Sequence, residues 1–262
     1  MTTGGDRQGG LAADATTEDA FLGGRVRLRQ PAQGYRAAID PVFLAAAVPA
    51  LPGETVLDLG CGVGAASLCL AMRLPECRVT GIESERALVR IAGDNVVLNG
   101  LSTRILIMAG DLLRPPQRLE PESFAHVMAN PPYLAAGTAT PSPVRGKAQA
   151  NIEGEADLAA WVRFALTMAK AKGTVTFIYR PDRLESLLVQ LAGRAGEIVV
   201  FPLWAGSGKD AGRVIVRARK GVAAPTRLAS GLVLHEADGR YTEAADAVLR
   251  HGLPLPIGIP PS

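Results

Sequence analysis

Val56-Leu-Asp-Leu-Gly-Cys-Gly-Val-Gly64 is the stretch of sequence that decides the fold. Residues 55–59 are apolar enough for a short buried strand, and the small apolar residues from Gly64 to Arg73 predict a helix directly after it. Glycines at alternate positions allow a tight turn between strand and helix and a close approach of the backbone to a ligand. The pattern Asp-x-Gly-x-Gly-x-Gly therefore predicts the first strand, turn and helix of a ligand-binding α/β fold.

The same alternation of strands and helices continues to about residue 220. Six further strands are predicted at 78–83, 104–109, 124–129, 174–179, 198–201 and 213–219, and three further helices at 85–99, 156–170 and 181–194. The last two strands are predicted to form a hairpin. This order predicts a doubly wound, mostly parallel seven-stranded sheet that binds ligands at the carboxyl ends of its strands.

Short extensions are predicted on either side of this core. The predicted units are a disordered tail at 1–20 and a single domain at 21–262, made of a preface (21–53), a catalytic core (54–220) and a C-terminal extension (221–262). The preface holds a strand around Arg25–Arg29 and an apolar helix at 42–48. The extension holds a strand at 232–235, a turn at Asp238-Gly239 and a helix at 243–250.

Composition excludes several classes of protein. The chain of 262 residues is 48% hydrophobic and 20% charged, with a formal net charge of +3, which permits a nucleic-acid partner without demanding one. Cys61, Cys69 and Cys77 have neither CxxC spacing nor a nearby histidine, so we expect no metal site and no disulfide. An apolar stretch of membrane-spanning length and a signal peptide are both missing, which predicts a cytoplasmic protein.

Acidic residues end three successive predicted strands. A carboxylate at Asp58 disfavours the pyrophosphate of a nicotinamide cofactor and suits a cationic ligand, and S-adenosylmethionine carries both a sulfonium and an ammonium group. Glu83, about 20 residues further on, is placed to accept hydrogen bonds from ribose hydroxyls, and Asp111 is placed to contact the adenine amino group. The sequence thus predicts S-adenosylmethionine as cofactor. A nicotinamide oxidoreductase remains a weaker alternative.

Asn130-Pro-Pro-Tyr133 follows the fourth predicted strand. The prolines fix φ and remove two backbone donors, so we expect outward-facing carbonyls that, with the Asn130 amide oxygen, hold an amino group of a planar substrate. Tyr133 offers a face for stacking. These four residues are the predicted catalytic residues. His126 lies within an apolar strand and is predicted to be a core residue, and Trp161 and Trp204 are predicted to pack.

Asp-x-Gly-x-Gly followed by Asn-Pro-Pro-Tyr resembles the amino-group methyltransferases with the small methyltransferase domain, a class I, Rossmann-like fold. Three segments narrow the resemblance to the bacterial tRNA(Val) adenine-N6 methyltransferases: Gly34-Tyr-Arg36 with Ile39-Asp40, Val144-Arg145 through Glu153, and Leu234-His-Glu-Ala-Asp-Gly-Arg-Tyr-Thr-Glu243. It implies an enzyme of the tRNA1(Val) adenine-37 type. The cofactor-binding residues expected on this basis are Asp58, Gly60, Cys61, Gly62, Glu83, Ser84, Asp111, Leu112 and Asn130.

The same resemblance implies that Tyr133, Arg36, Arg145 and Glu153 bind the substrate. Arg25, Arg27, Arg29 and Lys147 would add to a phosphate-binding rim with Arg36 and Arg145. The chain departs from the family at Ala150-Asn-Ile-Glu153, which has no histidine before the glutamate, and at Lys172-Gly173-Thr174, which has one glycine where the family has two. The first departure leaves the RNA substrate open. The alternatives are a glutamine-N5 protein methyltransferase, an rRNA guanine-N2 methyltransferase and a non-catalytic RNA-binding module.

Overall fold

The computed structural model describes residues 16–33, 36–132 and 157–258, and it confirms the α/β class. The strands are β1 (Thr16–Phe21), β2 (Val26–Pro31), β3 (Thr55–Leu59), β4 (Arg78–Glu83), β5 (Ile105–Ala109), β6 (Phe124–Ala129), β7 (Ala169–Tyr179), β8 (Ala195–Trp204), β9 (Ala211–Lys220), β10 (Arg227–Leu228) and β11 (Leu232–Val233). The α-helices are α1 (Asp40–Ala47), α2 (Ala65–Arg73), α3 (Arg86–Leu98), α4 (Leu158–Met168), α5 (Leu184–Leu191) and α6 (Glu243–His251).

The central sheet contains the seven predicted strands in the order β8-β9-β7-β6-β3-β4-β5. Strands β5, β4, β3, β6 and β7 are parallel, and β9 runs antiparallel between β7 and β8. The two-residue strands β10 and β11 extend the sheet beyond β8. The predicted hairpin of the last two core strands is confirmed. The carboxyl ends of β3, β4, β5, β6 and β7 therefore meet at one edge of the sheet.

Helices cover both faces of the sheet. Phe43 of α1 and Leu68 of α2 are fully buried on one face, and Val162 of α4 and Leu187 of α5 are fully buried on the other. Because a mainly parallel sheet is covered on both sides, its central strands lack polar-apolar alternation and appear in the sequence as continuous apolar runs. Among the described residues, no helix has the length and apolar character required to cross a membrane.

The prediction of a disordered tail is wrong for residues 16–20, which belong to β1 and pair antiparallel with β2; residues 1–15 lie outside the described part. The strand was missed because its residues are mostly polar and exposed, so no apolar periodicity marks it. It is held by its partner strand and by ion pairs across the hairpin. Glu18 bonds Arg27 at 2.7 Å, and Asp19 bonds Arg36.

Asn95 of α3 and Asn99, which directly follows this helix, take the place of a strand partner for β2. The side-chain amide of Asn99 accepts from Arg27 N at 2.9 Å and donates to Arg27 O at 2.7 Å. Asn95 does the same for Arg29, with both distances 2.8 Å, and it also donates to Val63 O at 3.0 Å in the glycine turn. Four residues along a helix and two residues along a strand span similar distances, so Asn95 and Asn99 face alternate residues of β2. Together with the bond to Val63, these contacts hold the hairpin against the turn that precedes α2.

Boundaries in the second half differ from the predictions. Strand β7 begins at Ala169 rather than at residue 174, because the Lys-Gly segment that resembles a loop forms an irregularity within the strand, with Lys172 at φ 61°. A short 3-10 turn at Pro181–Arg183 precedes α5, which ends at Leu191. The predicted strand at 232–235 is reduced to the two residues of β11, and β10 carried no sequence signal.

Candidate active site

The turn between β3 and α2 contains three glycines with left-handed backbone conformations, and they serve different purposes. Gly60, Gly62 and Gly64 have φ values of 64°, 56° and 87°. A Cβ on Gly60 would lie 2.4 Å from the ring of Trp161, whereas a Cβ on Gly62 would meet no atom within 4 Å. Gly60 therefore admits a packed tryptophan, and Gly62 faces the open side of the turn, where a ligand could approach the backbone.

Glu83 joins this turn to the end of β4. Its Oε2 accepts from Gly62 N at 3.0 Å, and its Oε1 accepts from Glu85 N at 2.9 Å and from the hydroxyl of Ser84 at 3.2 Å. The carboxylate is partly exposed beside the open side of Gly62. A carboxylate held in this position by backbone donors could accept hydrogen bonds from a ribose diol, and that role of Glu83 stays a prediction.

Asp58 lies beneath the turn rather than at its surface. Its side chain is buried, and its Oδ2 accepts from the hydroxyl of Ser67 on α2 at 2.7 Å. The pKa of Asp58 is raised to about 7, mainly because the carboxyl group is buried. The hydrogen bond from Ser67 lowers this pKa, and the negative charge of Glu83 contributes to raising it. A positively charged ligand near this carboxylate would stabilise its ionised form, so the donor set fits the sulfonium and ammonium groups of S-adenosylmethionine.

The raised pKa of Asp58 predicts a pH-dependent penalty on folding. The unfolded chain releases this proton near the ordinary pKa of 3.8 and the folded chain near 7, so stability falls as the pH rises from about 4 to about 7 and the penalty is constant above. In ligand-free protein, we expect Asp58→Asn to raise the melting temperature relative to wild type, with a difference that increases between pH 4 and pH 8.

Thermal unfolding of the wild type and of Asp58→Asn between pH 4 and pH 8 measures the difference in melting temperature. The titration of all other groups affects both proteins equally and cancels in this difference. As a control, Ser67→Ala removes the hydrogen bond that lowers the pKa of Asp58 in the folded chain, so the upper end of the pH window should move upward while its lower end stays in place. A wild-type-to-variant difference that is the same at every pH would show that Asp58 is ionised in the folded protein throughout.

Asp111 follows the end of β5 by two residues. Its Oδ1 accepts from Leu113 N at 2.9 Å, and its Oδ2 lies 3.9 Å from Arg114 Nε. Gly110 N donates to Glu83 O at 2.9 Å, so the ends of β4 and β5 are bonded to each other. Leu112 is partly buried beside Asp111. The predicted cofactor residues of the three strands thus share one edge of the sheet.

Asn130-Pro131-Pro132 follows β6 at the same edge. Leu59 and Ala129 are paired residues of β3 and β6, so Gly60 and Asn130 leave the sheet side by side. Pro131 is buried, and Asn130 is partly buried and has a polar partner within the protein. The expectation that both proline carbonyls face outward is wrong for Pro132, whose carbonyl accepts from the hydroxyl of Tyr179 at 3.4 Å.

Two aromatic residues contact the backbone of the site. Tyr179, fully buried at the end of β7, contacts the Asn-Pro-Pro segment, and Trp161 of α4 covers Gly60 with 9% of its surface exposed. Trp161 packs, as predicted. Tyr179 was not predicted as a site residue, although a polar-tipped aromatic at the end of a buried strand was the available signal.

Only Arg36 of the predicted substrate-binding residues lies in the described part of the chain. Tyr133, Arg145 and Glu153 lie outside the described residues, as does Lys147 of the predicted rim. Arg36 bonds the β1–β2 hairpin through Thr17, Asp19 and the carbonyl of Pro31. Arg27 and Arg29 approach Glu18, and Arg25 donates to the carbonyls of Leu22 and Arg250. Much of this positive charge is engaged within the preface.

The histidine and the cysteines considered in the sequence analysis are buried in the protein core. His126 is buried, with its ring nitrogens 2.8 Å from Thr174 Oγ1 and 2.8 Å from Glu54 Oε2, which confirms it as a core residue. Cys61, Cys69 and Cys77 are buried free thiols, and burial raises the pKa of each. Over the described ranges, no cluster of three or more His, Cys, Asp or Glu side chains could hold a metal ion.

In sequence and in fold the chain is similar to known methyltransferases. Residues 39–145 match the family model of the methyltransferase small domain. A tRNA1(Val) (adenine(37)-N6)-methyltransferase from Aeromonas hydrophila is 26% identical over 209 residues, which cover 78% of this chain and 84% of the relative. The chain is an S-adenosylmethionine-dependent methyltransferase.

Two further relatives of the methyltransferase show how far the similarity extends. An enzyme with the same tRNA name from Yersinia pestis (strain Pestoides F) is 36% identical over 111 residues, but this match covers 42% of the chain and under half, 44%, of the relative. The crystal structure of a predicted O-methyltransferase from Agrobacterium tumefaciens has a TM-score of 0.67 and 26% identity, and covers 80% of this chain and 94% of that one.

Proposed function

We propose that the methyltransferase modifies the exocyclic N6 amino group of an adenine in tRNA, of the tRNA1(Val) adenine-37 type. The observation that carries this proposal is the side-by-side exit of Gly60 and Asn130 from paired strands. It brings the acceptors of Asn-Pro-Pro next to the turn that would hold the cofactor. The tRNA names of the relatives from Aeromonas hydrophila and Yersinia pestis support the choice of substrate.

The chemistry requires an amino nitrogen with an available lone pair. In adenine that lone pair is delocalised into the ring, and acceptors that hold the amino hydrogens favour its return to the nitrogen. S-adenosylmethionine, when bound, supplies an electrophilic methyl group. Asn130 and the Pro131 carbonyl would hold the amino group, and Tyr179 fixes the segment through Pro132. Effective concentration and orientation then provide most of the rate enhancement.

A tRNA substrate would place the methyltransferase in the cytoplasm. Methylation of a guanine N2 or of a glutamine N5 would use the same acceptors, and the substrate test below distinguishes these reactions. The relative from Agrobacterium tumefaciens is named for transfer to oxygen. A hydroxyl nucleophile needs a base to remove its proton, whereas Asn130 is a hydrogen-bonding amide, so we favour an amino substrate.

The test is transfer of tritium from labelled S-adenosylmethionine to unmodified total tRNA, followed by nucleoside analysis. We expect the label in N6-methyladenosine. Label in N2-methylguanosine, in ribosomal RNA or in a protein would retain the cofactor and replace the substrate. Absence of label from every acceptor, with retained binding of S-adenosylmethionine, would favour the non-catalytic RNA-binding alternative.

A further inference from the structure

A pocket of about 330 Å³ lies at the active-site edge of the sheet, beside the end of β8 and the beginning of β9. Its lining comes from the segment before α1, from the β8–β9 hairpin and from the residues after β11: Arg36, Ala38, Ile39, Asp40, Leu203, Ala205, Gly212, Arg213, Leu234 and His235. A volume of this size with a mainly apolar lining and a few polar groups is typical of a small-ligand site.

The register of the strands places this pocket near Asn-Pro-Pro. Val214 of β9 pairs with Tyr179 of β7, whose hydroxyl reaches Pro132. Arg213, which lines the pocket, is the next residue along β9. Only β7 lies between β9 and β6, and neighbouring strands are about 5 Å apart, so β9 lies roughly 10 Å from the strand that leads into Asn-Pro-Pro. A nucleotide next to the reacting one in a polymeric substrate could span that separation.

The polar groups of the pocket are an arginine and a carboxylate that are bonded to each other, and Arg213 Nη1 also donates to Gly212 O at 2.8 Å. Arg213 Nε bonds Asp40 Oδ2 at 2.8 Å, and both side chains are largely buried, with 34% and 15% of their surfaces exposed. Ala38, Ile39 and Leu234 provide apolar surface nearby. An arginine fork and a carboxylate are the groups that proteins use to bind the edges of nucleobases, and flat apolar walls suit their faces.

An aromatic pair lies at the margin of the pocket. The rings of His235 and Tyr241 are stacked with centroids 4.8 Å apart and an interplanar angle of 26°. His235 Nδ1 lies 2.9 Å from Ala205 O, and since a carbonyl only accepts, Nδ1 carries the hydrogen and the ring is held in one orientation. Tyr241 is 38% exposed, so part of the pair is accessible to a base.

We propose that this pocket holds an unpaired nucleotide of the RNA substrate adjacent to the methylated base, with its base against the Arg213–Asp40 pair and the His235–Tyr241 stack. Arg36 also lines the pocket, where it is bonded to Thr17 and Asp19 of the hairpin. The assignment rests on the proposed function for the identity of the substrate as RNA. It adds a second contact that would select the sequence or the loop geometry around the target.

Filling the pocket tests the proposal without removing any contact. Ala38 is exposed, so Ala38→Trp should fold normally and occupy the pocket. We expect the Kd for unmodified total tRNA, measured by fluorescence anisotropy, and the KM for tRNA to rise about ten-fold or more, with kcat and the Kd for S-adenosylmethionine unchanged. Val189→Trp, which adds the same bulk at an exposed position of α5 outside the pocket, is the matched control.

A second pair of variants distinguishes the loss of base stacking from a general loss of folding. Tyr241→Ala should raise the Kd for tRNA, and Tyr241→Phe, which keeps the ring, should restore it. An unchanged Kd for tRNA in Ala38→Trp at a wild-type melting temperature, or no tRNA binding by the wild type, would overturn the proposal. If the wild type binds tRNA, Ala38→Trp weakens that binding and N6-methyladenosine is nevertheless not formed, then the pocket stands and the proposed reaction fails.

Discussion

Replacing Asn130 by alanine is expected to lower the rate of methyl transfer by about a hundred-fold or more, while the Kd for S-adenosylmethionine changes much less. Asn130 leaves β6 next to Gly60 and lies above a segment fixed by Tyr179. Its amide oxygen would contact the substrate amino group most strongly as the nitrogen changes hybridisation. Loss of one preorganised hydrogen-bonding group costs about 10²–10³ in turnover in other enzymes.

Single-turnover label transfer and calorimetric titration with S-adenosylmethionine measure the two quantities separately. Asn130→Asp is the matched variant, because it keeps an acceptor oxygen in the same place and should retain more activity than Asn130→Ala. Asn130 is also expected to border the cofactor, so some weakening of cofactor binding is compatible with the prediction. Equal losses in binding and transfer would instead show that Asn130 acts mainly as a cofactor ligand.

Asn95→Ala is expected to cost about 3–5 kcal/mol of stability, the largest structural effect among these substitutions. The side chain is fully buried and serves Arg29 N, Arg29 O and Val63 O. Its removal leaves these groups without their partner, each at a cost of about 1–3 kcal/mol before relaxation. For a chain of this size, the midpoint of thermal unfolding should fall by roughly 10 °C.

Asn99→Ala is the matched control, since Asn99 makes the equivalent pair of bonds to Arg27 at a more exposed position. It should cost about 1 kcal/mol, because solvent can replace the lost bonds. Asn95, unlike Asn99, reaches Val63 in the glycine turn, so Asn95→Ala should also weaken binding of S-adenosylmethionine, measured by calorimetry below the melting range. Equal destabilisation by the two variants would show that the link to Val63 is without consequence.

The predictions from sequence were most accurate where the signal is local. The glycine turn after β3 and the apolar runs of the seven core strands follow from residues next to each other in the chain, and the sheet confirms them. Strand β1 was missed, since its polar residues are ordered by pairing with β2 and by the ion pairs of Glu18 and Asp19. Such pairing depends on a neighbour that is not visible in the segment itself.

The sequence by itself determined the order of the seven core strands and the helices between them, the turn that needs left-handed glycines and the chemical character of Asp58, Glu83 and Asn130. Only the tertiary structure decided which groups are buried and which meet. It placed Asp58 under the turn against Ser67, turned the Pro132 carbonyl to Tyr179 and brought Asp40 to Arg213 across more than 170 residues. Local patterns depend on backbone sterics and periodicity, whereas burial, pKa and long-range partners depend on how the packed elements surround each group.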